Sequence, residues 1–187
     1  MLKHTAVARP SGWRRKASKE RCFMAGLCHC VLCKDTDQFR AARISAACTH
    51  NHPEGIKGAQ ATALCIFLAR NGKSKEDIKN TVEAKFGYDL NFTCDGIRET
   101  YQWDATCQGT VPQSIRAFLD GTDFEDCVRT AISLGGDSDT LACITGSIAE
   151  AFYGIPPALH AQAMHYLPTH FQQIVAEFEE KYGPKIR

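Results

Sequence analysis

The chain has no long apolar run: of its 187 residues, the longest uninterrupted apolar stretch is Ala63–Ala69. A membrane-spanning helix needs about 20 such residues, so no membrane partner is expected. No apolar segment follows the basic start, which argues against a secretion signal and leads to the expectation of a cytoplasmic protein. Charge of one sign is missing too. Lys and Arg number 22 against 21 Asp and Glu, a formal +1, so nothing global draws the molecule to nucleic acid or a lipid surface. Alternating polar and apolar runs of the strand type are essentially absent, which disfavours a sheet. Cysteine, by contrast, is plentiful, with ten in the chain. Without a secretion signal, reduced thiols are favoured over a disulfide scaffold. Cys65, Cys127 and Cys143 fall inside apolar helical patterns and read as small buried hydrophobes.

The even overall balance hides a break near residue 40. Residues 1–40 hold nine Lys/Arg against three Asp/Glu and four of the ten cysteines. No helical or strand periodicity lasts there beyond a few residues, so 1–40 reads as a basic, Cys-rich segment of unspecified structure. Residues 41–187 read as the organised helical domain. In it Ala59, Ala63, Ile66 and Phe67 lie at helical spacing and Asn71-Gly72 supplies a stop. Ser74 with Asp77 forms an Asp variant of the capping box ahead of Ile78, Val82 and Phe86. Pro112 suits a first helical turn, and Thr122 with Glu125 reads as a second capping box. From Asp137 to Tyr153, Leu141, Ile144, Ile148 and Phe152 share one face, while Ala142, Gly146 and Ala149 on another let a neighbour approach. Helices at about 157–166 and 168–182 close the chain. The expected fold class is all-α.

Three constellations could carry chemistry. Gly135-Gly136-Asp137-Ser138-Asp139-Thr140 places two carboxylates and a hydroxyl where a Gly-Gly turn meets a helix start. Such oxygens can converge on a hard cation such as Mg²⁺ or Ca²⁺, and free helix N–H groups there can receive phosphate. The plainer reading is that Asp137 is an N-cap and Asp139 a favourable first-turn acid. Thr49-His50-Asn51-His52-Pro53-Glu54-Gly55 puts two imidazoles ahead of a helix, suited to phosphate, a base or a metal, or merely to capping. Cys28-His29-Cys30-Val31-Leu32-Cys33 offers thiols for zinc, but the spacing matches no standard finger or ribbon.

The first two of these strings resemble motifs of the ADP-ribosylglycohydrolase family. Ala131–Thr140, continuing through Gly146 to Phe152-Tyr153-Gly154, is similar to the family's C-terminal signature. Thr49–Gly58, Gly109–Phe118 and Asp123–Asp126 match further blocks in order, over about residues 42–187. The resemblance implies an all-α fold with a binuclear Mg²⁺ centre in a cleft between helices. Asp137, Asp139 and Thr140 match metal ligands, His50 matches a contact to ADP-ribose, and the Gly135-Gly136 turn borders the same pocket. It also implies hydrolysis of a glycosidic bond joining ADP-ribose to a protein side chain or a small acceptor. The partner is then an ADP-ribosylated protein or an ADP-ribose derivative. Arginine, serine, a nucleobase and O-acetyl-ADP-ribose all remain open as leaving groups.

The N-terminal part departs from the family pattern. A full member carries an acidic residue and a Thr-Asp-Asp block there, and this chain has neither; Asp35-Thr36-Asp37 is the nearest imitation. The catalytic acid is therefore unassigned, and two readings of residues 1–40 stay open: genuine sequence, or a misread or frameshifted stretch joined to a genuine C-terminal half. With those motifs missing, at most one weakly held cation binds, hydrolysis is slow or undetectable, and exposed apolar surface invites self-association. The alternative is a non-catalytic relative, serving as an ADP-ribose-binding or crystallin-like structural module.

Overall fold

The structure is a computed structural model and describes residues 38–49 and 51–182. Among them are nine α-helices and no strand: α1 (Gln38–Thr49), α2 (Pro53–Arg70), α3 (Lys75–Phe86), α4 (Cys94–Ile97), α5 (Val111–Asp120), α6 (Phe124–Ser133), α7 (Ser138–Tyr153), α8 (Pro157–Tyr166) and α9 (Thr169–Tyr182). The all-α expectation holds.

Each boundary has a local cause. His52 precedes α2 as its N-cap, its Nδ1 accepting the Glu54 N–H at 3.3 Å, and Pro53 fills the first helical position where its missing N–H costs nothing. Ser74 Oγ accepts the Asp77 N–H at 3.1 Å while Asp77 accepts the Ser74 N–H at 3.3 Å, the reciprocal box expected for α3. At α6 the cap lies one residue later than the Thr122/Glu125 reading. Asp123 is the N-cap and accepts the Asp126 N–H at 2.9 Å, while Asp126 reaches back to the Thr122 N–H at 2.8 Å. Aspartate's short carboxylate serves both directions, and Glu125 instead pairs with Arg129 one turn on.

α7 is the axis of the core. Its Leu141, Ile144 and Ile148 are at most 2% exposed, and it packs on α2, α5 and α6. Each such side chain stabilises the fold by roughly 1.5–3 kcal/mol relative to exposure. Phe118 on α5, fully buried, meets Phe152 edge-on at 5.4 Å. A Cβ at Gly146 would meet Val128 Cγ2 at 3.6 Å, an ordinary van der Waals contact, so the α6–α7 packing expected to depend on this glycine would accept alanine too. Thr145 Oγ1 donates to the Ser114 carbonyl at 2.8 Å, pinning α7 to α5 inside the core. Lys75 donates to the Leu119 carbonyl at 3.1 Å and to that of Gly121, a cation at the C-terminal end of α5 where the helix dipole favours one.

Of the cysteines read as buried, Cys65 and Cys127 are, but Cys143 is exposed. It lies two residues past Leu141 and one before Ile144, which turns it off the apolar stripe of α7. No helix among the described residues is long and apolar enough to cross a membrane.

Candidate active site

The turn between α6 and α7 is built by two glycines in succession. Gly135 and Gly136 have φ of +72° and +62°, a region that a Cβ makes unfavourable by about 1–2 kcal/mol per residue. The turn delivers Asp137 to the mouth of α7 as its N-cap residue, yet the Asp137 carboxylate makes no capping hydrogen bond. The plainer reading of Asp137 therefore holds for its position and not for its side chain. Asp139 is exposed, with Oδ1 accepting the Thr140 N–H at 2.8 Å, and Thr140 is buried.

The segment between α4 and α5 forms the facing wall. A Cβ on Gly136 would sit 3.0 Å from the Tyr101 ring and 3.4 Å from the Gln102 carbonyl, so backbone and ring are in close contact. Tyr101 donates to the Gly109 carbonyl at 2.9 Å. Burial raises its phenol above the ordinary range. A hydrogen bond with Thr110 works against this, and the Asp104 and Asp137 carboxylates add to it. Asp137 thus lies near enough to act electrostatically on the ring. Beside the turn opens a cleft of about 480 Å³ lined by Tyr101, Trp103, Asp104, Gly109 and Gln113 among others. Trp103 is 68% exposed at its rim. Asp104 is held by the Thr106 N–H at 2.7 Å, and Gln113 Oε1 is buried without a hydrogen-bond partner. α2 closes on the same region, since a Cβ at Gly58 would lie 3.2 Å from Val111 and 3.3 Å from Cys107.

A family model for ADP-ribosylglycohydrolases matches residues 4–185. This chain belongs to the ADP-ribosylglycohydrolase family. The match takes in most of the basic N-terminal segment as well as the helical part. An uncharacterised protein of Archaeoglobus fulgidus is 30% identical over 126 residues, covering 60% of this chain and 41% of that protein. ADP-ribosylhydrolase ARH3 of Bos taurus is 27% identical over 194 residues, covering 79% of this chain and 50% of its own length. ADP-ribosylarginine hydrolase Tri1 of Pseudomonas putida is 26% identical over 112 residues, covering 57% and 30%. The chain thus spans at most half the length of these relatives. A solved structure titled ADP-ribosylglycohydrolase-related protein complex superposes with a TM-score of 0.65 at 24% identity, over 90% of this chain and 62% of that one, which shows the shared fold.

Asp137, Asp139, Thr140, Gly135 and Gly136, all read from sequence, come together at one helix mouth by chain continuity. His50 lies outside the described residues, as do Asp35-Thr36-Asp37 and the Cys28–Cys33 cluster. The Asp137/Asp139/Thr140 set suits Mg²⁺ in kind, since all three offer hard oxygen donors at one helix mouth. It is short in number, since no group of three or more His, Cys, Asp or Glu that could hold a metal occurs among the described residues. The sequence reading missed Tyr101, Trp103, Asp104 and Gln113. Gly109 and Gln113 stood within a recognised block, but nothing in the pattern of 98–106 marked that irregular stretch as a wall of the cleft.

Proposed function

We propose that the turn and cleft form an ADP-ribose site of glycohydrolase type, with Asp137, Asp139 and Thr140 holding Mg²⁺ and with His50, Gly135 and Gly136 contacting ADP-ribose. The observation that carries this is the Gly135-Gly136 turn, which sets Asp137, Asp139 and Thr140 together at the α7 mouth, with Asp137 acting electrostatically on Tyr101 of the facing wall. Bound Mg²⁺ would supply charge stabilisation and organise ribose hydroxyls. The two carboxylates favour the oxocarbenium-like charge that develops when a glycosidic bond breaks. The tight Gly135-Gly136 backbone admits a ligand closely, and the first N–H groups of α7 suit a diphosphate. The substrate is an ADP-ribosylated protein or an ADP-ribose derivative, and the working compartment is the cytoplasm.

With two carboxylates at the turn, a single weakly held cation is the natural stoichiometry, and hydrolysis by this chain is slow. That same shortage of donors among the described residues favours a second reading, an ADP-ribose-binding relative without catalysis. An assay of ADP-ribose release from an ADP-ribosylated protein separates the two. Slow Mg²⁺-dependent release that Asp137→Asn abolishes supports the hydrolase; binding with no release supports the second reading; fast release would show that other residues complete the centre.

A further inference from the structure

α8 and α9 contribute no buried residue among those described, and Tyr166, Phe171 and Ile174 are 85%, 48% and 58% exposed. On α9, Phe171, Ile174 and Phe178 recur at i, i+3 and i+7, an apolar stripe along one face. Helical spacing sets Glu177 and Glu179 on the two sides of that stripe, and the helix carries three glutamates against one lysine. Glu179 meets His160 of α8 at 2.8 Å, tying the two helices together.

A complementary surface lies on the other helices. α1, α2 and α3 enclose an open groove of about 770 Å³ with Phe39, Ile56 and Phe86 in its lining and Lys57 and Lys85 beside them. Lys85 Nζ sits 3.7 Å from the Phe39 ring centroid, and Lys57 Nζ lies 4.4 Å from that of Tyr88 and 3.8 Å from the Glu54 carboxylate. The ring faces thus hold two ammonium groups at an aromatic and aliphatic groove. Such a groove suits an amphipathic helix with acidic flanks, anchored by side chains at i, i+3 and i+7.

The chain carries that helix itself. We infer that α9 of one copy docks in the α1–α3 groove of a second copy. Pairing α9 with α9 would bring like carboxylates together, whereas the groove offers them lysines, so charge selects the groove. The two surfaces differ, so the contact closes into a two-fold pair where each copy fills the other's groove and otherwise grows head to tail into a chain. The inference uses no residue of the turn at Gly135–Thr140 and stands independently of the ADP-ribose reading.

Sedimentation equilibrium of the full chain tests it. The mass should rise above 20.7 kDa with concentration, and the association should weaken with salt. Ile174→Glu should weaken association about tenfold or more, as loss of an apolar anchor does. The pair Lys57→Glu and Lys85→Glu should do the same. Adding Glu177→Lys to that pair, with Glu179 left in place because it holds His160, should restore part of the association, with far-UV circular dichroism unchanged throughout. A parent chain that stays monomeric at every concentration overturns the inference. So does association that Ile174→Glu reduces while the lysine reversals leave it untouched, or a three-fold variant that regains nothing.

Discussion

Thiols show at the residue scale how burial sets chemistry here. Burial pushes the Cys94 thiol up to about 12, and Asp120 beside it adds to the effect. Cys127, also raised chiefly by burial, reaches about 11. Neither forms appreciable thiolate near neutral pH, and the thiolate is the nucleophile. Both are at most 1% exposed, whereas Cys48 and Cys143 face solvent. Burial raises the Cys143 thiol to about 11 as well, with Asp139 adding to it. Brief labelling of the native protein with iodoacetamide at pH 7.5, read by peptide mass spectrometry, should therefore modify Cys48 first and spare Cys94 and Cys127. Equal labelling of Cys48, Cys94 and Cys127 would show that the core opens readily. Cys94 has a structural task instead, since its N–H donates to Asp120 at 2.8 Å and so links α4 to the end of α5. Burial alone would raise the Asp120 carboxyl, but hydrogen bonds from Arg116 and from the Cys94 N–H bring it below the usual range.

Among the elements, the α6–α7 turn is the most demanding backbone. Gly135 has open space where a Cβ would go, so Gly135→Ala meets only the left-handed φ, a loss of about 1–2 kcal/mol. Gly136→Ala meets the same strain and also presses on Tyr101 at 3.0 Å, so it should destabilise more and displace the 101–104 wall. Urea unfolding of the two variants, with tyrosine absorbance as a local probe, checks the order; equal losses would deny the contact. Much of the helical layout was legible beforehand because Ser74 with Asp77, Pro112, Gly121 and the two Gly135-Gly136 residues act locally. The α6 cap was misjudged by one residue because Thr122 and Asp123 are both good caps, and only the folded loop decides between them. The cleft wall was not legible for a related reason. Tyr101 and Trp103 sit in irregular chain whose position depends on Gly136, Gly109 and α5, contacts that no periodicity encodes. Cys143 followed the same logic in reverse, since the apolar composition around it suggested burial that the helical angle denies.

In the whole molecule, α5, α6, α7 and α2 form the unit that presents the turn. Phe118 joins them, fully buried and packed against Phe152, with Lys75 Nζ 5.1 Å from its ring centroid. Phe118→Ala should cost about 3–5 kcal/mol, the usual range for emptying such a position. The transition midpoint in chemical denaturation should fall accordingly; a loss under about 1 kcal/mol would mean that the core collapses around the gap. The turn is a product of this packing, whereas the function proposed for it depends on the carboxylate oxygens of Asp137 and Asp139, which lie outside the apolar core. Substituting those oxygens should therefore leave the fold intact and remove the ligand. Calorimetric titration of ADP-ribose into the full chain, with and without Mg²⁺, tests that separation most directly. Mg²⁺-dependent binding should appear in the parent and weaken about tenfold or more in both Asp137→Asn and Asp139→Asn, as loss of a charged ligand does, with unchanged circular dichroism. Binding of equal strength in the parent and both variants would contradict the assignment of the site.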